Sequence, residues 1–180
     1  MENDSPTLMD AAGRMALPIG ILWSSSFLCA MYGTERPLLS MMSTALGIIS
    51  IYALYRQLTN YRKIYPSVSW LHILRLSFVT CLLAGLLTDA AQYLYFVFLD
   101  GGRLLSVMGN AMQMEEYREA WQRMLPGTSL DEVEEMIQTM TVRDIMLEMI
   151  IFNVLLALPI SLIAAIASPK PSKVNGEKSK

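Results

Sequence analysis

Three polar side chains that could take part in chemistry lie inside stretches that are otherwise apolar. Asp89 and Gln92 lie in "LAGLLTDAAQYLYF", residues 83–96, and Asn153 lies in "FNVLLALP". A carboxyl group with amide neighbours inside a membrane can take part in a proton or cation step, or bind a polar small molecule. The simpler interpretation, which we favour, is that the same residues form hydrogen bonds between helices.

The surrounding sequence predicts an all-α protein with four membrane-spanning helices. Of its 180 residues, 53% are hydrophobic and 17% are charged, which is more apolar than an ordinary soluble domain. A hydrocarbon core of about 30 Å needs about 20 mostly apolar residues per helix. Each span must be helical, because lipid offers the backbone no hydrogen-bond partner. Four segments approach or exceed the required length: 15–33, 37–55, 71–99 and 145–167.

Polar residues of all four spans fall at similar depths. Asp89 lies ten residues before the end of the third span, on the order of 15 Å at helical rise, and Asn153 lies roughly 12 Å into the fourth. We expect Asp89 to face the bundle interior and to be protonated or hydrogen-bonded, since a carboxylate at that depth costs several kcal/mol. The first two spans add further members of this polar layer: Ser24, Ser43 and Thr44.

Basic residues predict the direction of the spans. Lys and Arg near span ends are retained in the cytoplasm, and they occur between spans two and three and in the C-terminal "KPSKVNGEKSK". We therefore expect both termini to be cytoplasmic. The predicted layout is a cytoplasmic N-terminus (1–14), spans one to three (15–99), an extracytoplasmic segment (100–144), span four (145–167) and a disordered basic cytoplasmic tail (168–180).

The segment 100–144 is acidic and is predicted to form a helical hairpin. It holds nine acidic residues against four Arg. One helix is expected over 104–125 and a second, amphipathic helix after Ser129, which with Glu132 matches a capping box. The apolar face of the second helix recurs at helical spacing and is the predicted surface for a protein partner: Leu130, Val133, Ile137 and Met140.

Small residues at four-residue intervals predict close helix packing. Ala157, Ser161 and Ala165 continue a stripe that begins at Asn153. The same spacing recurs in three pairs in the other spans: Gly20 with Ser24, Ser43 with Gly47, and Cys81 with Gly85. We expect these to be contacts within the bundle, and a homo-oligomer is also compatible with them.

The sequence contains no motif for catalysis, metal binding or nucleotide binding. Cys29 and Cys81 lie in apolar segments without metal or disulfide spacing, and His72 is the only histidine. We expect no enzymatic activity, no cofactor and no bound metal. Charge is divided between segments in a way that indicates topology, so nucleic acid is not an expected partner.

Two stretches resemble a known family. "FNVLLALPISLIAAIASPKPS", and "LLAGLLTDAAQYLYFVFLD" followed by a segment rich in Met and Glu, are similar to the bacterial membrane proteins grouped as domain-of-unknown-function family 4199. Where that family usually has Asp-Pro after the third span, this chain has "LDGG". The resemblance implies a bacterial inner membrane and hence a periplasmic position for 100–144. It implies no activity and no catalytic residue.

These observations favour a membrane-embedded interaction or accessory subunit. Its environment would be the lipid bilayer, and a membrane or periplasmic protein would bind its extracytoplasmic helices. The alternative is a small transporter or proton-coupled channel centred on Asp89. That alternative requires a polar route from Asp89 to a membrane face, whereas the sequence makes the inner halves of the spans nearly all apolar.

Overall fold

A computed structural model describes residues 7–33, 36–111, 113–124, 127 and 129–168, without the side chains of residues 121, 124, 130 and 138. The predicted disordered tail lies outside these residues except for Ser168, as do the first six residues of the N-terminal segment. The described chain is helical. Its elements are α1 Leu8–Gly33, α2 Pro37–Ile64, α3 Trp70–Phe98, α4 Arg103–Ala111, α5 Glu115–Met124, α6 Leu130–Thr139 and α7 Val142–Ala167.

Four of these helices, α1, α2, α3 and α7, are long and apolar enough to cross a membrane. They coincide with the four predicted spans, which confirms the all-α class of the described residues and the presence of four helices that could cross a membrane. The helices α1 and α2 extend beyond the apolar segments. α1 begins at Leu8 and not at Met15, because Thr7 supplies an N-terminal cap well before the apolar run starts.

Side-chain caps set the starts of several helices. The Thr7 hydroxyl donates to Asp10 Oδ2 at 2.6 Å and accepts from the Asp10 backbone N–H. Thr141 and Asp144 repeat this arrangement at the start of α7. At α6 the predicted box is confirmed, since Ser129 and Glu132 each accept a hydrogen bond from the other's backbone N–H. A cap of this kind stabilises a helix by about 1 kcal/mol.

The chain divides into two compact units, with both boundaries inside long helices. The first unit comprises Met1–Thr88 and Phe152–Lys180, and the second comprises Asp89–Ile151. The helices α3 and α7 therefore each contribute to both units.

The first unit is a bundle of α1, α2 and the adjoining parts of α3 and α7, which share one apolar core. α1 packs along α2, and small residues let other helices approach closely. A Cβ added at Gly20 would lie 3.0 Å from Leu87 Cβ and 3.2 Å from the Ala84 carbonyl oxygen, so a larger residue would require α3 to shift by a few tenths of an ångström. The core takes residues from each helix: Ala11, Ala12, Ala16, Ile19, Leu54, Leu58, Tyr61, Ile73, Leu76, Cys81, Ala84, Ala157, Ala164 and Ala165.

A buried arginine joins α2 to the end of α7. Arg62 is 3% exposed, and its guanidinium donates a hydrogen bond to the carbonyl of Ser168, which directly follows α7. A cation at a helix C-terminus compensates the partial negative charge of the last carbonyls. Sequence reasoning used Arg62 only as a topology signal, because its position in the chain does not show its burial.

The second unit holds the ends of α3 and α7 and the three short helices. Gly101 and Gly102 turn the chain after α3 with φ of 56° and 82°, a conformation that side chains with a Cβ rarely adopt. Asp100 then accepts a hydrogen bond from the Leu104 N–H at the start of α4. The predicted single helix over 104–125 is wrong: α4 ends at Ala111 and α5 begins at Glu115. Gly109 and Asn110 are weak helix formers, and Glu115 with Glu116 favours a new helix start.

Replacing Gly20 by Ala should destabilise the first unit by about 1 to 3 kcal/mol, because the new methyl group forces α1 away from α3. Gly47→Ala is the matched control, since nothing lies within 4 Å of a Cβ there. The control should be neutral, or stabilising by up to about 1 kcal/mol through helix propensity. Denaturant unfolding of both purified variants in detergent measures the difference. Equal shifts for the two variants would contradict the close contact.

Candidate functional site

The buried face of α3 carries more polar side chains than that of any other described helix. Asp89 is 8% exposed and Gln92 is 5% exposed, and they lie one turn apart in the second unit. In the first unit, Ser77, Thr80 and Thr88 are buried at helical spacing along the same helix. Sequence reasoning missed Ser77 and Thr80. Their spacing relative to Thr88 was the signal that would have found them.

Three of these side chains keep unused hydrogen-bonding capacity. The Ser77 and Thr80 hydroxyl oxygens and Gln92 Oε1 are buried without a hydrogen-bond partner in the part of the chain that the structure describes. Thr88 differs, because its hydroxyl donates to the Ala84 carbonyl one turn earlier at 2.9 Å. A buried polar atom without a partner costs about 1 to 3 kcal/mol. Among the described residues α2 has as many such atoms, in Gln57, Thr59 and Arg62, so a polar ligand could recover this free energy on either α2 or α3.

The other predicted members of the polar layer make local contacts or join α1 to α2. The Ser24 hydroxyl donates to Gly20 O and the Thr44 hydroxyl to Ser40 O, both within their own helices. Ser43 contacts Ser26 across the α1–α2 interface, with 3.2 Å between the hydroxyl oxygens. Sequence reasoning missed a second such contact, in which the Trp23 indole N–H donates to the Ser50 hydroxyl at 2.8 Å.

The small-residue stripe on α7 lies in the first unit. Ala157, Ser161 and Ala165 are all buried, and Asn153 is half-buried with its Cβ 3.7 Å from the position of a Cβ at Gly85. Ser161 donates to the Leu158 carbonyl at 2.9 Å. The stripe and the Cys81–Gly85 pair therefore lie where helices meet. Gly47 does not, because a Cβ there would enter open space.

The predicted partner surface on α6 is partly used inside the second unit. Val133 and Ile137 are buried, and Leu105 and Met108 of α4 pack against them. Met140 is half-buried, and the side chain of Leu130 lies outside the described part of the structure. The apolar repeat of α6 thus holds α4 in place, and a protein partner would need other residues.

The outward faces of α5 and α6 are acidic. Glu119 forms an exposed ion pair with Arg123 at 2.8 Å. Tyr117 and Met136 are about half exposed among them. Seven carboxylates are exposed on these two short helices: Glu115, Glu116, Glu119, Asp131, Glu132, Glu134 and Glu135.

Among the described residues, no three His, Cys, Asp or Glu side chains are grouped to hold a metal ion. The chemistry that these side chains allow is hydrogen bonding by the polar residues of α3, proton exchange at the Asp89 carboxyl group, and ionic recognition at α5 and α6.

Large apolar side chains are exposed along all four long helices, far beyond the apolar patches of soluble monomers. Examples at more than half exposure are Leu17, Ile21, Leu38, Met41, Ile48, Leu86, Leu94, Leu155 and Ile163. With four helices of membrane-crossing length, these surfaces define a multi-pass helical membrane protein.

The chain belongs to the family described as protein of unknown function (DUF4199), whose sequence profile matches residues 14–167. This confirms the family suggested by the α3 and α7 sequences. No curated protein and no solved structure matched the chain.

Replacing both Val133 and Ile137 by Ser should loosen α4 from α6, because the apolar contacts with Leu105 and Met108 are lost. Truncation of two buried apolar side chains costs about 2 to 5 kcal/mol. Limited proteolysis should then cleave the segment 100–140 several times faster. Met136→Ser, at an exposed position of the same helix, is the control and should leave the rate unchanged. An unchanged rate in the double variant would show that this contact does not hold the short helices.

Proposed function

We propose that this membrane protein is an interaction or accessory subunit that recognises a basic protein partner through α5 and α6. The observation that carries the proposal is the set of seven exposed carboxylates on two short helices, with Tyr117 and Met136 exposed among them. Aromatic and Met side chains are enriched at protein interfaces, and an acidic surface accelerates association with a basic partner.

The proposed location is the cytoplasmic membrane of a bacterium, with both termini in the cytoplasm. The basic residues between α2 and α3 and after α7 support this orientation, since Lys and Arg are retained on the cytoplasmic side. An odd number of crossings separates these residues from the short helices. The acidic surface would accordingly face the periplasm and meet a membrane or periplasmic protein there.

Neutralising Glu116 and Glu135 together, each to Gln, should lower the amount of co-purifying partner several-fold at physiological salt. The reason is that exposed interface charges act mainly on association and are screened by ions. The protein is purified from its native membrane in mild detergent, and co-eluting chains are quantified by mass spectrometry. The loss should shrink as the salt concentration rises.

Arg118→Gln is the matched control, because it removes an exposed positive charge from α5 whereas the Glu variants remove negative charges. It should preserve or increase retention of a basic partner. Equal retention by the wild type and the Glu116/Glu135 variant would contradict recognition through this acidic surface. So would elution of the wild-type protein without a stoichiometric partner.

A second candidate function is proton-coupled transport through Asp89. The buried polar residues along α3 favour it, because Ser77 and Thr80 extend the polar face of this helix toward its start. This modifies the expectation that the inner halves of the spans are nearly all apolar. Polar side chains inside membrane bundles most often serve to join helices, and for that reason transport is the second proposal.

Asp89→Asn separates the two roles. If Asp89 only joins helices, the variant should keep its stability to within about 1 kcal/mol and its full function, since such bonds average about 0.6 kcal/mol. If Asp89 carries a proton, the variant should abolish proton flux into proteoliposomes followed with a pH-sensitive dye. Glu148→Gln, an exposed acid on α7, is the control. Wild-type proteoliposomes without flux above empty liposomes would rule out the transport proposal.

A further inference from the structure

An apolar groove lies between α3 and α7 within the first unit, near the start of α3. It has a volume of about 570 Å³ and is lined by Leu74, Arg75, Phe78, Leu158, Pro159, Ser161 and Leu162. The only hydroxyl in this lining is already used, because Ser161 donates to the Leu158 carbonyl. The groove therefore suits hydrocarbon. Arg75 is the one charged residue of the lining, and it borders the groove through the apolar atoms of its side chain.

Arg75 lies five residues after the first residue of α3, roughly 8 Å along the helix. Side chains of a helix lean toward its N-terminus, and a long cationic side chain extends its charge to the membrane interface. The Arg75 charge is thus directed toward the level of lipid headgroups, while Phe78, nearly one turn further along α3, lines a deeper part of the groove.

The stretch of chain that surrounds Arg75 in the sequence carries no negative charge. No Asp or Glu occurs in the sequence between Glu35 and Asp89, although Arg56, Arg62, Lys63 and Arg75 all fall in that interval. Arg75 is exposed, and none of the hydrogen bonds or ion pairs seen among the described residues involves it. Guanidinium pairs well with phosphate, and basic residues at the interface attract anionic lipid.

We propose that this groove is a binding site for one anionic phospholipid, with an acyl chain between α3 and α7 and the headgroup phosphate on Arg75. The charge complementarity and the apolar lining together select this occupant over a zwitterionic lipid or a polar metabolite. The proposal does not depend on the partner of α5 and α6.

Native mass spectrometry of the full chain in detergent tests the site, with phosphatidylglycerol and phosphatidylcholine of identical acyl chains as probes. The wild type should retain phosphatidylglycerol about fivefold better, the ratio expected for one interfacial arginine. Arg75→Gln should reduce phosphatidylglycerol to the phosphatidylcholine level. Arg56→Gln, which removes an exposed charge outside the groove lining, should retain the wild-type preference.

A second variant tests the acyl-chain part of the site without altering charge. Leu162→Trp places a large side chain in the groove, where Leu162 is partly exposed, and should lower retention of both lipids. Wild-type lipid preference in Arg75→Gln, or unchanged retention of both lipids in Leu162→Trp, would overturn the proposal. A fall from dimer to monomer in Leu162→Trp with lipid retention unchanged would likewise overturn it, by assigning the groove to a second copy of the chain.

Discussion

Hydrocarbon offers no hydrogen bonds, and this constraint shapes the whole protein. It requires the backbone of each crossing to be helical, and it makes every buried polar side chain find a partner or cost free energy. In α1 and α2 the requirement is met by contacts such as Trp23 with Ser50 and Ser26 with Ser43, but buried atoms of Gln57, Thr59 and Arg62 on α2 have no partner among the described residues. In α3 it is met only in part, since Ser77, Thr80 and Gln92 each keep a buried polar atom without a partner among the described residues.

The same constraint separates two kinds of surface that a function can use. The long helices expose apolar side chains suited to lipid, including the groove that ends at Arg75. The short helices α5 and α6 expose carboxylates suited to water and to a basic protein. A protein built in this way can be held in the membrane by one surface and recognise a partner with the other.

Sequence patterns predicted the features that depend on local rules. Apolar length found the four long helices, and the spacing of Ser129 and Glu132 found the cap of α6. Sequence patterns did not predict which faces of the helices are buried, because tertiary contacts determine that. The periodicity of Val133 and Ile137 identified an apolar face, but α4 covers that face inside the second unit. Gly47 has the same spacing signal as Gly20, yet only Gly20 lies against another helix. The burial of Arg62 has no local signature at all.

The central claim is that an odd number of membrane crossings separates the loop between α2 and α3 from the short helices. The most direct measurement is labelling of single cysteines in intact cells with a membrane-impermeant maleimide, after replacing Cys29 and Cys81 by Ala. Glu116→Cys on α5 should react from outside, whereas Ser67→Cys in the α2–α3 loop should react only after permeabilisation; both residues are exposed. Labelling of the two positions from the same side would contradict the account.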